Sequence, residues 1–256
     1  MTRTTVLLPT YNHAPWLPRA LQSLCNQTLS DIRIVVVDDG STDETPAILE
    51  RLSREDPRIE TVRIPHGGIV AALNAGLSEV DTPYIARMDA DDICHAQRLA
   101  VQVAYLDANP QCGAVDSVVT LLESERTGAG MVEHIAWMNS LTTWDAIRKE
   151  LFVESPLVHP AVTMRTEALI ASGGYIEEPG PEDYSLWLRM AAAGYELHKV
   201  AQNLLTWSDL PGRLTRNDPH YEAIQMHALK AKMLPKIHSR TVQEGVRIWG
   251  AGPTGK

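Results

Sequence analysis

Cysteine is scarce in this chain. Cys25, Cys94 and Cys112 are the only three among 256 residues, and they lie far apart. An odd, scattered set builds no disulfide framework and fits a reducing compartment. No Cys/His pair has the spacing of zinc ligands. Net positive charge is missing too: 32 acidic side chains against 23 basic ones give −9. That balance argues against nucleic acid or an anionic membrane as partner. A phosphate-bearing ligand would therefore need local cations or a metal. There is no internal repeat, no low-complexity segment, no evident secretory leader and no apolar run long enough to span a bilayer. The expected setting is cytoplasmic, with peripheral contact at the inner face of a membrane left open, as is the oligomeric state.

What is present fits one large α/β domain or one domain with an appendage. The apolar share of 44% is enough for a substantial core. Thr5 to Leu8, Ile34 to Val37, Ile59 to Ile64, Tyr84 to Met88 and Gly113 to Leu122 read as strands. The run Ile34-Val35-Val36-Val37 has no polar alternation, as expected of a strand covered on both faces. Between the strands, Leu17, Leu21 and Leu24 recur at helical spacing, with Asn12 as cap, and helices are expected over Asp43 to Asp56, Gly68 to Glu79 and Cys94 to Asn109. Such alternation predicts a mostly parallel central sheet flanked by helices. After Leu122 the rhythm is lost. Glu123 to Gly130 reads as a loop, Trp144 to Phe152 and Thr166 to Ser172 as helices, and Val158 to Met164 as a strand. Glu182 to Ala193 reads as a strong helix, Tyr195 to Val200 and Leu204 to Trp207 as two short strands, and His220 to Met233 as a last helix ended by Pro235.

Acidic residues gather at the carboxyl ends of the expected strands, where α/β sheets hold ligands. Asp89-Ala90-Asp91-Asp92 follows the apolar run ending at Met88. Two carboxylates one residue apart at a strand end can converge on a hard cation, Mg²⁺ or Mn²⁺, whose shell is completed by substrate phosphates. An acidic turn that merely caps the next helix has the same composition. Asp39, after the second strand, can accept the N3–H of a uracil ring, and Tyr11 offers a face for stacking. Asp43, just before Pro46, is read as a helix cap.

Pro9-Thr10-Tyr11-Asn12, Val37 to Asp43, Gly68 to Asn74, Asp89 to Asp92 and Glu182-Asp183 occur in the order seen in family 2 glycosyltransferases of the GT-A fold, and the chain resembles that family over about residues 4 to 215. The resemblance implies a Rossmann-like GT-A fold with a C-terminal acceptor-side region. It implies inverting transfer of a sugar from a nucleotide-sugar donor, with UDP preferred, to a saccharide, lipid-linked or protein hydroxyl. Carried over by position, Pro9 (through its backbone), Tyr11 and Asp39 are nucleoside contacts. Asp89 lies near the ribose, Asp91 with Asp89 holds the metal, Asp92 is an extra acid, and Asp183 is the base with Glu182 beside it. The halves expected are 1–122 for the donor and 123–239 for the acceptor and base. Residues 240–256 read as a strand and Gly-rich loop, the stub of a second α/β domain.

The chemistry asked of these residues is simple. The acceptor hydroxyl must lose a proton, and a carboxylate within reach can take it. Asp183 in the first turn of a helix is expected to be ionised at neutral pH by the helix dipole, which would equally explain it as a cap. Arg87, Arg213 and Arg216 can offset diphosphate charge, the latter two from a mobile loop with turn chemistry. Many family members place a histidine in that loop as a further metal ligand. Here the loop has none; Asp209 or water can stand in, and His159 and His220 are the other candidates. A nucleotidyltransferase and a non-catalytic nucleotide-sugar binding module are the competing readings.

Overall fold

The computed structural model describes residues 2–122, 128–209 and 221–238. Its centre is one eight-stranded sheet in the order β3-β2-β1-β4-β7-β6-β8-β5. The strands are β1 (Thr4–Thr10), β2 (Ile32–Asp38), β3 (Ile59–Arg63), β4 (Tyr84–Arg87), β5 (Ile93–Cys94), β6 (Cys112–Leu122), β7 (Thr163–Arg165) and β8 (Glu196–Ser208). β1, β2, β3 and β4 run parallel, as do β6 and β8; β7 is antiparallel to both neighbours, and β5 is antiparallel to β8.

Continuous apolar runs make β1 and β2 because both faces of the sheet are covered. Leu7, Val35, Val37 and Ile85 face one core, shared with α3 (Ile69–Leu77) and α8 (Glu182–Ala192). Val6, Leu8, Ile34, Val36 and Ala86 face the other, shared with α1 (Leu17–Cys25) and α2 (Thr45–Glu55). The strand period of two assigns neighbours to opposite cores. α3 lies very close to the sheet: a Cβ on Gly76 would come within 2.1 Å of Leu7 Cδ1 and 2.9 Å of Val37 Cγ2. On either side of β1 the chain crosses to opposite edges, to β2 one way and β4 the other, which opens a crevice at their carboxyl ends.

Several boundaries differ from the sequence expectation. α1 starts at Leu17, with Trp16 as N-cap. Asn12 instead adopts φ 54°, and its side chain accepts the Thr42 N–H at 2.8 Å. α4 spans only Arg98–Ala108, because Ile93–Cys94 pairs as an edge strand with Leu205 and Thr206. α5 (Ala129–Ser140) occupies a stretch for which no element was expected. α6 (Trp144–Glu150) and α7 (Thr166–Ala171) fall where helices were read. The strand expected over Val158 to Met164 is a 3₁₀ turn, His159–Ala161, followed by β7, since Pro160 has no N–H for a ladder. The two short strands after Tyr195 are one strand, β8, whose register against β6 slips around Val118. The last helix, α9 (Ala223–Ile237), carries Pro235 within it rather than ending there. Among the described residues no helix is long and apolar enough to cross a membrane.

Candidate active site

A cleft of about 1010 Å³ opens at the carboxyl ends of β1, β2 and β4. Pro9, Tyr11, Asp39, Arg87, Asp89, Asp91, Glu182 and Asp183 all line it. α5 and α9 close the opposite wall with Met138 and Met226. The sequence therefore named residues from four separate stretches that the fold gathers around one cavity.

At one end lies Asp39, buried, with its carboxylate well occupied. Oδ1 accepts the Gly67 N–H at 2.7 Å, and Oδ2 accepts the Gly68 N–H at 2.9 Å. His66 Nδ1 lies 2.9 Å from the same Oδ2. Asp39 thus fastens the β3–α3 loop, and Oδ1 keeps capacity for one more donor. The loops approach tightly here: Gly40 has φ +73°, and a Cβ on it would sit 2.8 Å from His66 N. Asp38 is a structural neighbour, accepting the Ser41 N–H at 2.9 Å. Asp43 accepts the Thr45 N–H at 2.9 Å and the Ala14 N–H at 3.1 Å, so it tethers the β1–α1 loop to the start of α2, whose N-cap is Glu44 and not the expected Asp43.

In the middle of the cleft, Asp89, Asp91 and Asp92 bring carboxylate oxygens within 4.8 Å of one another. Arg87 is buried and ion-paired with Asp89. Burial works against its charge, but Asp89 outweighs that and holds its pKa above the usual value. Asp92 lies buried behind the cleft-lining pair and accepts the Ser208 N–H at 2.7 Å. Burial, then the charges of Asp89 and Asp91, push its pKa well above the ordinary carboxylate range. Its Oδ2 is buried with no hydrogen-bond partner among the described residues. Crowded oxygens with one buried oxygen unmatched form a donor set that suits a hard divalent cation, with Asp89 and Asp91 facing the ligand side. No histidine or cysteine joins this group among the described residues. His159 lies elsewhere, beside Glu182.

At the start of α8 stand Glu182 and Asp183. Glu182 is held from two sides: Tyr221 donates its hydroxyl to Oε2 at 2.8 Å, and His159 Nδ1 lies 3.7 Å from Oε1. Burial pushes the Glu182 pKa up, but His159 and Tyr221 outweigh it and leave the group lowered. His159 Nε2 is 3.1 Å from the Tyr175 hydroxyl, and burial, then Arg87, hold the imidazole below its usual value. Asp183 accepts the Tyr184 N–H at 2.7 Å. Even so, burial and then the Glu182 charge push it up to about 8. The helix N-terminus is outweighed, and the expectation of a carboxylate ionised at neutral pH is corrected. Trp187 is fully buried core, and Tyr175 is buried behind His159.

The model of Glycosyl transferase family 2 matches residues 5–169. This chain belongs to glycosyl transferase family 2. The amylovoran biosynthesis glycosyltransferase AmsE of Erwinia amylovora is 29% identical over 232 residues, covering 88% of this chain and 85% of the relative. An uncharacterized glycosyltransferase of Haemophilus influenzae is 30% identical over 198 residues, covering 74% of this chain and 60% of that relative. Among solved structures, S. aureus TarS in complex with UDP-GlcNAc superposes with a TM-score of 0.70 at 18% identity, covering 95% of this chain and 74% of TarS; at that identity the likeness speaks for the fold. The family 2 assignment makes the chain a glycosyltransferase and removes the nucleotidyltransferase and binding-module readings.

Of the remaining sequence candidates of this family 2 enzyme, Asp209 is buried at the end of β8 and is not among the cleft-lining residues. Arg213, Arg216, His220 and the Gly-rich stretch within 240–256 lie outside the described residues. His66, Tyr221 and Ser208 were not singled out as partners of the acidic residues, and His159 was read as a candidate metal ligand, whereas it pairs with Glu182. Only His66 carried a local signal, standing directly before Gly67-Gly68 at the end of a strand.

Proposed function

We propose that this family 2 enzyme is an inverting transferase. It takes a sugar from a nucleotide-sugar donor, a UDP-sugar first, and passes it to a hydroxyl of a saccharide, lipid-linked or protein acceptor. The observation that carries this reading is the shared cleft: Tyr11, Asp39, Asp89, Asp91 and Asp183 line one cavity. The donor half is assigned to residues 1–122 and the acceptor half to 123–239. The cysteine usage favours a cytoplasmic setting.

In this reading Tyr11 stacks on the base, and the Asp39 carboxylate accepts its imide N–H while the bonds from Gly67 and Gly68 keep that carboxylate aimed. The backbone of Pro9 lines the nucleoside, and Asp89, steered by Arg87, faces the ribose and diphosphate. Asp91 and Asp89 would hold Mn²⁺ or Mg²⁺, which when bound supplies Lewis-acid stabilisation of the departing diphosphate. Asp183 takes the proton of the acceptor hydroxyl as it attacks the anomeric carbon from the far side. Glu182, locked by His159 and Tyr221, keeps a negative charge beside Asp183 and faces the acceptor.

A panel of nucleotide sugars tests this, scored by thermal shift with and without Mn²⁺, because a ligand that binds the native state raises its apparent stability. A UDP-sugar is expected to give the largest metal-dependent shift. Proton NMR of the product is expected to show the anomeric configuration opposite to that of the donor. Retention of configuration would overturn the single-displacement assignment.

A further inference from the structure

His66 stands where the base is proposed to go. Its ring stacks on Tyr11 with centroids 4.1 Å apart and planes 18° from parallel. Its Nδ1 lies 2.9 Å from Asp39 Oδ2 and 3.1 Å from the Asp39 backbone oxygen. Both oxygens are acceptors, so Nδ1 carries a proton. A uracil ring lying flat on Tyr11 with its imide N–H toward Asp39 would make the same two contacts. A base that takes this face of Tyr11 and this carboxylate oxygen needs the His66 ring to leave.

We propose that His66 occupies the nucleobase seat of the free enzyme and that donor binding displaces it, so that His66 sets both affinity and base choice. The proposal rests on the reading of Tyr11 and Asp39 as base contacts. The local structure suits a ring that can leave while its loop stays. The His66 side chain is 56% exposed. The loop itself is pinned to Asp39 through the backbone N–H groups of Gly67 and Gly68, which the ring does not supply. Gly68 has φ +86°, a conformation that favours glycine, so the chain turns into α3 independently of the imidazole. Displacement then costs one stack and one hydrogen bond, which the incoming base replaces in kind. The exchange is selective. Uracil and thymine offer an imide N–H to the carboxylate that His66 releases. Cytosine presents a lone pair at the same ring position and supplies no ring N–H to replace the one His66 withdraws.

Calorimetry of UDP and CDP with Mn²⁺ on wild type, His66→Ala and Tyr11→Ala tests the proposal. His66→Ala is expected to bind UDP roughly three- to tenfold more tightly, because no fraction of the free enzyme is then blocked. Tyr11→Ala is expected to bind UDP more weakly. In ¹⁵N-labelled protein, the His66 ring signal, assigned by its loss in His66→Ala, is expected to move when UDP is added and to stay when CDP is added at the same concentration. Unchanged or weaker UDP binding by His66→Ala overturns the proposal, making the residue a spectator or a second wall of the seat. If wild type binds UDP no better than CDP and Tyr11→Ala binds UDP as wild type does, the base reading itself fails, and the proposal with it.

Discussion

Tyr221 donates its hydroxyl to Glu182 Oε2 at 2.8 Å and so ties the entry of α9 to the carboxyl pair at the entry of α8. With His159 on the other oxygen, this bond keeps Glu182 charged in a buried place. The charge is felt next door, where it joins burial in raising Asp183 to about 8. The two carboxyls are thereby assigned opposite protonation states at neutral pH, a division typical of acid–base sites.

The pH dependence of transfer follows from that division. A base must be ionised to accept a proton, so kcat/KM of the wild type is expected to rise with pH and level off above about 8. Glu182→Gln removes the neighbouring charge, and the midpoint is expected to move to lower pH. At pH 6.5 the variant would then retain a larger share of its own plateau rate than wild type does. An unmoved midpoint would show that Glu182 does not tune Asp183.

Asp183→Asn separates binding from chemistry. Donor affinity measured by calorimetry is expected to stay within about twofold, while transfer falls by roughly 10²–10⁴. Stability should move the other way. The folded-state pKa of Asp183 is raised, whereas in the unfolded chain the group titrates near ~3.9. Its contribution is fully present at acid pH and is lost as pH rises through about 8. The Asn variant lacks that loss, so its Tm is expected to exceed the wild-type value at pH 8 and to approach it near pH 4. A variant with full transfer activity would remove Asp183 from the base role.

Asp91→Asn should act on the metal instead. Donor binding in Mn²⁺ is expected to weaken at least about tenfold, and chelation of wild type with EDTA should give a comparable loss. The free protein should not suffer. Asp91 contributes to the repulsion that raises Asp92, so removing its charge is expected to leave the Tm without metal unchanged or higher. A lowered Tm without metal would mark Asp91 as a structural acid.

How much of this was readable in the chain follows from the range of the forces involved. Ile34 to Val37 announces a doubly covered strand because burial on both faces leaves a local record. The acidic ends were legible for a related reason: Asp39, Asp91 and Asp183 each follow or open a regular element, and strand ends meet at one rim in this topology. The protonation of Asp183 was not legible. It depends on Glu182, whose own charge is set by His159 and Tyr221 from other parts of the chain. The helix dipole acts on Asp183 from its own helix, and burial with the Glu182 charge outweighs it. β5 was hidden likewise, since Ile93–Cys94 is a strand only by pairing with β8. α5 was missed because its apolar residues follow no clean helical period, and only Ile135 and Met138 are buried.

One wall of the cleft rests on a buried ion pair. Lys199 Nζ lies 2.9 Å from Asp116 Oδ2, and neither side chain is exposed. Lys199 also donates to the Met138 backbone oxygen at 2.9 Å, and Asp116 Oδ2 accepts the Val158 N–H at 3.0 Å. Met138 and Val158 both line the cleft, so this one pair fixes two pieces of its wall to β6 and β8. Lys199→Met strands a carboxylate in the core and is expected to cost about 3–5 kcal/mol in urea unfolding. Adding Asp116→Asn removes the stranded charge yet keeps a carbonyl oxygen for Val158, and is expected to recover part of that loss. In the double variant donor affinity should hold, because Tyr11, Asp39 and Asp91 are untouched, while KM for the acceptor rises. A double variant no more stable than Lys199→Met would show that the cost lies in the lost Met138 bond and not in the unpaired charge.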